Sequence, residues 1–244
     1  MSTVQSTHRD VEEVRELLLK RLPYELTDII MVEAQYFARL STKRTIHLTV
    51  QGSKEPLNNA KWLYLISKPI PEVYNGDHIV PTKVHSVRFS IKSCDQGWGG
   101  FSEDKNAYRN SYTWFEASIL RPDEPSDPPP QWIIDAARKP INVNNLPGQG
   151  WTELSSPYRR RNKRWLLQMN AQASRHIRHH EIKWSRDSGE NESAEYDEKT
   201  GSGRGLGFTR ELQADDRIAL VARALYPGWE NNVYSAEIEV AYQT

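Results

Sequence analysis

From about Thr45 to the end of the chain, apolar residues recur at every second position within short runs rich in β-branched and aromatic side chains. Val87, Phe89 and Ile91 share one face of such a run. Thr113, Phe115, Ala117 and Ile119 share a face of another, and Ile218, Leu220, Ala222 and Ala224 of a third. Successive side chains of a strand point to opposite sides of its sheet, so this spacing describes strands with one buried and one solvated face. Sheets of that kind are antiparallel. Similar runs cover 44–50, 61–66, 164–170, 177–184, 206–212 and 233–242, each bounded by Gly, Pro, Asn or Ser. No helical stretch of a dozen residues separates consecutive runs in the second half, which excludes a succession of βαβ units. The expected fold is mainly β: an antiparallel β-sandwich of two packed sheets with jelly-roll-like topology.

The period is different before Thr45. Val11, Val14, Leu17 and Leu18 recur at three- and four-residue steps among charged residues, which predicts an amphipathic helix over 9–20. Pro23 stands where a second helix can begin, and Leu26, Ile29, Ile30, Ala34 and Phe37 give it an apolar face ending near Arg39. The expected organisation is therefore an N-terminal helical segment, 1–40, followed by a β-sandwich domain, 41–244. Two loops interrupt the strands. The proline-rich stretch 121–130 lacks the backbone donors of a ladder, and 185–205 is polar, then acidic, then glycine-rich. Both are expected to be exposed and mobile.

Lys and Arg number 32, as do Asp and Glu, so the chain lacks the net positive field of a dedicated nucleic-acid binder. The 8 Trp, 11 Tyr and 5 Phe supply the apolar bulk that a core requires. One cysteine excludes an internal disulfide framework, and no apolar stretch follows Met1, so the expected setting is cytoplasmic, with no membrane partner.

Candidate binding residues lie at two glycine-bearing turns. In 93–100, Gly97, Gly99 and Gly100 permit positive φ around Trp98, and in 226–233 Trp229 follows Pro227 and Gly228. If both indoles open on one end of the sandwich with Asp95, Asn231 and Asn232, they form an aromatic and amide surface that can stack a sugar ring or grip a peptide. The alternative is that both rings cap the core. Trp114, Trp165 and Trp184 lie within strands and are expected to pack.

Other motifs carry less chemistry. His179 and Glu181 share one face of a strand while His180 joins Ile182 and Trp184 on the other, so no metal site is expected from His176, His179 and His180. The basic run Arg159, Arg160, Arg161, Lys163 and Arg164 suits phosphates, but the acidic stretch 187–198 can neutralise it, and nucleic-acid binding is not the expected role. The glycine-rich 201–207 leads into strand-like sequence, which fits a flexible connection rather than a phosphate cradle. Cys94 has no nearby base. Asp95, Glu116, Glu237 and Glu239 could supply a carboxylate pair for glycoside hydrolysis, but their separation decides that chemistry. No catalytic residue, metal or cofactor is implied.

Leu22-Pro23-Tyr24-Glu25-Leu26, followed by Ile29 and Ile30, resembles the opening helix of an F-box. That resemblance implies docking on the adaptor subunit of a cullin-type ubiquitin ligase through Leu22, Pro23, Leu26 and Ile30. It covers fewer than twenty residues, and a full F-box has further helices. The stretch 93–100, the run Tyr112-Thr113-Trp114-Phe115-Glu116, the strand Trp165-Leu166-Leu167-Gln168 and the closing 226–233 resemble a group of fungal proteins, most of them uncharacterised. These pair a short F-box-like Leu-Pro helix with a Trp-rich β-sandwich. The resemblance brings no active-site residues with it. The expected function is a non-catalytic interaction module that binds a protein partner through loop tips. The alternatives are a lectin-like carbohydrate binder and a ubiquitin-ligase substrate adaptor.

Overall fold

The computed structural model describes residues 6–75, 78–99, 107–124, 129–143, 150–156, 164–186 and 196–243. Two helices, α1 (His8–Leu19) and α2 (Tyr24–Glu33), precede β1 (Ala38–Arg44), β2 (Leu48–Gln51), β3 (Asn59–Ile66), β4 (Val73–Asn75), β5 (His78–Val80), β6 (Lys83–Cys94) and β7 (Thr113–Pro122). Then come α3 (Gln131–Arg138), β8 (Ile141–Asn142), β9 (Trp151–Leu154), β10 (Trp165–Met169), β11 (Arg178–Ser185), α4 (Phe208–Glu211), β12 (Arg217–Leu225) and β13 (Glu230–Gln243). The first sheet has the order β1-β13-β6-β11, with β2 also paired to β13. The second has the order β10-β7-β12-β3-β8, with β9 paired to β7. All these pairings are antiparallel.

Taking β1 and β2 as one edge, the principal strands alternate between sheets so that β13 returns beside the first edge and β12 lies beside β3 and β7. This is the double Greek-key order of a jelly roll. The protein is mainly β, an antiparallel β-sandwich with a short helical segment in front. Among the described residues no helix is long and apolar enough to cross a membrane.

The inward rows are the ones marked by two-residue spacing. Val87, Phe89 and Ile91 of β6 face Phe115, Ala117 and Ile119 of β7 and Ile218, Leu220, Ala222 and Ala224 of β12 within one core. Phe89, Trp165, Trp184 and Phe208 form its aromatic centre, with Trp184 and Phe208 centroids 4.9 Å apart and Trp165 and Phe208 5.0 Å apart, all edge-on. Both indole N–H groups are satisfied: Trp165 Nε1 donates to Leu206 O at 2.8 Å and Trp184 Nε1 to Gly203 O at 2.7 Å.

Several expectations need correction. The second helix ends at Glu33 rather than near Arg39, because Gln35 turns the chain at φ 49 and Ala38 already pairs with Tyr242. A boundary at residue 40 therefore falls inside β1. The apolar face of α2 is also reversed. Thr27 and Met31 face inward, while Leu26, Ile29 and Ile30 are exposed.

Residues 206–212 form no strand, since α4 places Phe208 in the core. The glycines before it are not a slack connection. Gly203 N donates to Leu167 O at 2.8 Å, Gly201 and Gly203 are buried, and a Cβ on Gly205, at φ 61, would fall on the Trp184 ring. This segment is a strap between the edges formed by β10 and β11. Finally, the proline-rich stretch leads directly into α3, which covers the outer face of the second sheet. Ile133 and Ala136 form a smaller core there with Leu63, Ile66, Leu120, Ala219 and Val221.

The strap yields a stability prediction. Gly205→Ala combines a left-handed backbone with overlap against a buried ring and is expected to cost about 3 kcal/mol in urea unfolding. Gly150→Ala, at φ 80 with open space around its Cβ, isolates the backbone effect and should cost only about 1 kcal/mol.

Candidate functional site

The candidate surface is built where β6 ends and β13 begins. Asp95 follows Cys94 at the end of β6, and its buried carboxylate accepts Gly97 N at 2.8 Å and Ala173 N at 3.0 Å, while Asp95 N donates to Ser174 O at 3.2 Å. Gly97 has φ 84, and the stem of Arg175 lies where a Cβ would stand. Arg175 Nε donates to Gln96 O at 2.8 Å. Gln96 in turn joins the two turns, because its Nε2 donates to Trp98 O at 2.6 Å and its Oε1 accepts Glu230 N at 3.0 Å.

Trp98, 57 % exposed, lies over Gly228, where a Cβ would approach the indole Cη2 to 2.5 Å. Trp229 is half-buried. Its ring edge sits 3.5 Å from a Cβ built on Gly99, and it meets Tyr112 edge-on at 5.0 Å. Tyr112 meets Tyr226 in the same way at 4.8 Å. Tyr226 is exposed, has φ 75, and donates its N–H to Asn58 O at 2.7 Å. Leu57 and Asn58 also have positive φ, and Leu57 is 92 % exposed. The result is an aromatic row of Tyr226, Tyr112 and Trp229 at one end of the sandwich, with Trp98 over the adjoining Gly228 and Leu57 next to the Asn58 carbonyl that Tyr226 bonds.

The structure thus brings Trp98 and Trp229 together but withdraws the polar partners expected beside them. Asp95 is 0 % exposed and is consumed by loop amides. Asn231 is buried in a network in which its Nδ2 donates to Trp114 O and Arg223 O and its Oδ1 accepts Asn170 Nδ2 at 3.0 Å. Ser93 Oγ donates to Asn170 Oδ1 at 2.7 Å and Asn170 Nδ2 reaches Thr113 Oγ1 at 3.1 Å, so Asn231 pins the two sheets together. Asn232 points the other way from Asn231 and accepts Thr49 Oγ1 at 2.8 Å. The surface is aromatic and aliphatic rather than aromatic and amide. Leu57, Tyr112, Tyr226 and Gln96 were not expected in it, and nothing in the residue pattern marks a left-handed leucine.

Other candidate groups are dispersed. Burial pushes the Cys94 thiol pKa up, and its Sγ lies 4.0 Å from Tyr234 Oη, a poor setting for a nucleophile. Glu116 is held by Arg223 Nη1 at 2.6 Å, Glu237 lies near Lys43 at 3.9 Å, and Glu239 meets Arg39 at 2.7 Å and Arg88 at 3.3 Å. Glu237 and Glu239 share the outer face of β13 and the field of Arg88, while Glu116 and Asp95 are buried elsewhere, so the four do not face one another as a pair.

Ser90 Oγ and Glu181 Oε1 both approach His179 Nε2 at 2.7 Å, so the carboxylate does not sit on the opposite ring nitrogen as a nucleophile relay requires. Among the described residues no three His, Cys, Asp or Glu groups converge for a metal. Arg159, Arg160, Arg161 and Lys163 lie outside the described residues, and Arg164 is paired with Glu153 at 2.5 Å. Leu22 is half-buried at the α1–α2 turn, and Pro23 caps α2 with Leu26 and Ile30 exposed behind it. No protein-family model matches the chain, and no curated protein matches it significantly.

Burial drives two titrations in opposite senses. Asp95 is pushed up to about 6, chiefly by desolvation against the opposing loop amides. The folded state therefore holds this proton more tightly than the unfolded chain, and the associated stability is present at low pH and lost as pH rises through 6. Burial, with Arg178 and His179 nearby, pulls His180 down to about 4, so its contribution is present above its ordinary value and lost as pH falls towards 4. Relative to wild type, Asp95→Asn should gain stability as pH rises from 4 to 6.5, and His180→Gln should gain as pH falls over that range. Urea midpoints measured across it check both slopes.

Proposed function

We propose that the protein is a non-catalytic interaction module whose Leu57–Tyr226–Trp98 end docks a protein partner. The observation that carries this reading is Leu57, almost fully exposed in a left-handed backbone beside Tyr226 in the same conformation. Each such residue costs about 1 kcal/mol or more, and nothing in the core repays the exposure of a leucine. Strain combined with exposed apolar surface is a feature of binding loops. A glycan surface needs hydrogen-bonding groups beside its stacking ring. Asp95 and Asn231 are buried and satisfied internally, which favours a protein partner over a sugar. A cytoplasmic setting belongs to this reading and is supported by the single cysteine, Cys94, a buried free thiol.

Leu57→Gly is expected to raise stability by about 1 kcal/mol by relieving the backbone, while weakening a purified partner about tenfold or more. Trp98→Ala should weaken it similarly with the fold intact. Undiminished partner affinity in the double variant would sink the proposal. Glycan-array binding that disappears with Trp98→Ala would replace it with the lectin-like reading.

The exposed Leu26, Ile29 and Ile30 of α2 favour a second reading, a substrate adaptor that resembles a shortened F-box and shares its arrangement with the fungal group. The chain enters β1 at Ala38, so only the first helices of an F-box could be represented. Purified adaptor subunit of a cullin-type ligase should then bind the full chain and release it on Ile30→Asp. No binding to the wild-type chain would end this reading.

A further inference from the structure

At the other end of β6 and β13 from Trp98, the two N-terminal helices and the β4–β5 hairpin enclose a groove of about 470 Å³. Leu19 and Tyr24 line the helical wall, and Tyr74, Val80 and Pro81 line the hairpin wall. Arg15 of α1 lies within it, only 8 % exposed. Its guanidinium is poorly matched for a buried cation. Nη2 reaches Asp28 Oδ1 at 3.5 Å, that same oxygen accepts Gln243 Nε2, the Tyr24 ring lies 5.9 Å away, and Nε has no hydrogen-bond partner. Buried arginine donors are normally satisfied, and a guanidinium whose contact to its carboxylate is this long retains capacity for a further acceptor on its groove side.

The remaining charges restrict what that acceptor can be. Lys83 adds a second cation to the lining, while Asp28 offsets Arg15 and Glu12 and Glu16 on α1 oppose any ligand carrying several negative charges. The tyrosines and aliphatic groups favour an apolar body. We propose that this groove binds a small apolar monocarboxylate, with the carboxylate held by Arg15 and Lys83 and the hydrocarbon or aromatic body lying against Tyr24 and Tyr74. An inorganic phosphate lacks the body and brings too much charge. A neutral amide of the same shape lacks the anion.

The test uses the ¹⁵N-labelled full chain titrated with phenylacetate, hexanoate and indole-3-acetate, with phenylacetamide and inorganic phosphate as controls. At least one carboxylate should shift amide signals of residues 12–28 and 73–83 saturably, with phenylacetamide about tenfold weaker and phosphate without effect. Arg15→Gln should abolish the shifts. Tyr74→Ala, which removes an exposed ring and leaves the core intact, should weaken them about tenfold even if the arginine variant does not fold. The proposal is overturned if none of the three carboxylates binds saturably, if phenylacetamide binds equally well, if the shifts map instead to the Trp98 end, or if Tyr74→Ala leaves them unchanged.

Discussion

The pairing of β13 with β6 organises the molecule. These are the two longest strands, with registered partners from Asn232 and Cys94 at one end to Gln243 and Lys83 at the other. On its other side β13 carries both β1 and β2. The chain cannot complete its first sheet until its last strand is in place, so the N-terminal helices are anchored through residues more than two hundred positions away. His8 stacks on Tyr242 at 6.2 Å, and Arg39 pairs with Glu239. Register shifts between Val233 and Ser235 and between Ala241 and Tyr242 bend the ladder near its two ends. Those are the ends where the Trp98 surface and the Arg15 groove are built.

Between the sheets, polar and aromatic contacts divide the work. Phe89, Trp165, Trp184 and Phe208 fill the centre, whereas Ser93, Asn170, Thr113 and Asn231 join the layers below the Trp98 loop through satisfied side-chain hydrogen bonds. Losing one member of such a network leaves the others buried and unpaired, so Asn231 supports the loop from beneath rather than lining its surface. Asp95 has a similar role on the loop side. Its carboxylate, with the clamp made by Gln96, sets the angle at which Trp98 lies over Gly228.

Strand periodicity was readable because one-sided burial leaves a direct trace: Val87, Phe89, Ile91 and the corresponding rows of β7 and β12 occupy the inward positions their spacing implies. Where burial is two-sided or set by distant packing, that trace fails. Ala219 and Val221 are buried beneath α3, so β12 has no solvated face there, and Phe208 is drawn into the core from a short helix rather than a strand. The helix α3 itself did carry a signal, since Trp132, Ile133 and Ala136 follow Pro130 at helical spacing. For α2 the apolar pattern is genuine but does not say which side meets the sheet. At the candidate surface the indoles and glycines were legible from local turn chemistry. The burial of Asp95 and Asn231 was not, because their partners come from residues 113–114, 170–173 and 223.

The uninterrupted run of β13 also has a mechanical meaning. Its inter-strand hydrogen bonds lie across the strand direction, and neighbours grip it along both sides. A pull on the Gln243 end of β13 against the Cys94 end of β6 would load those bonds in shear, many at once, instead of peeling them apart one after another. Two bodies tethered at opposite poles of this molecule would therefore be coupled by a stiff strut, with tension carried through the strand rather than absorbed by unravelling.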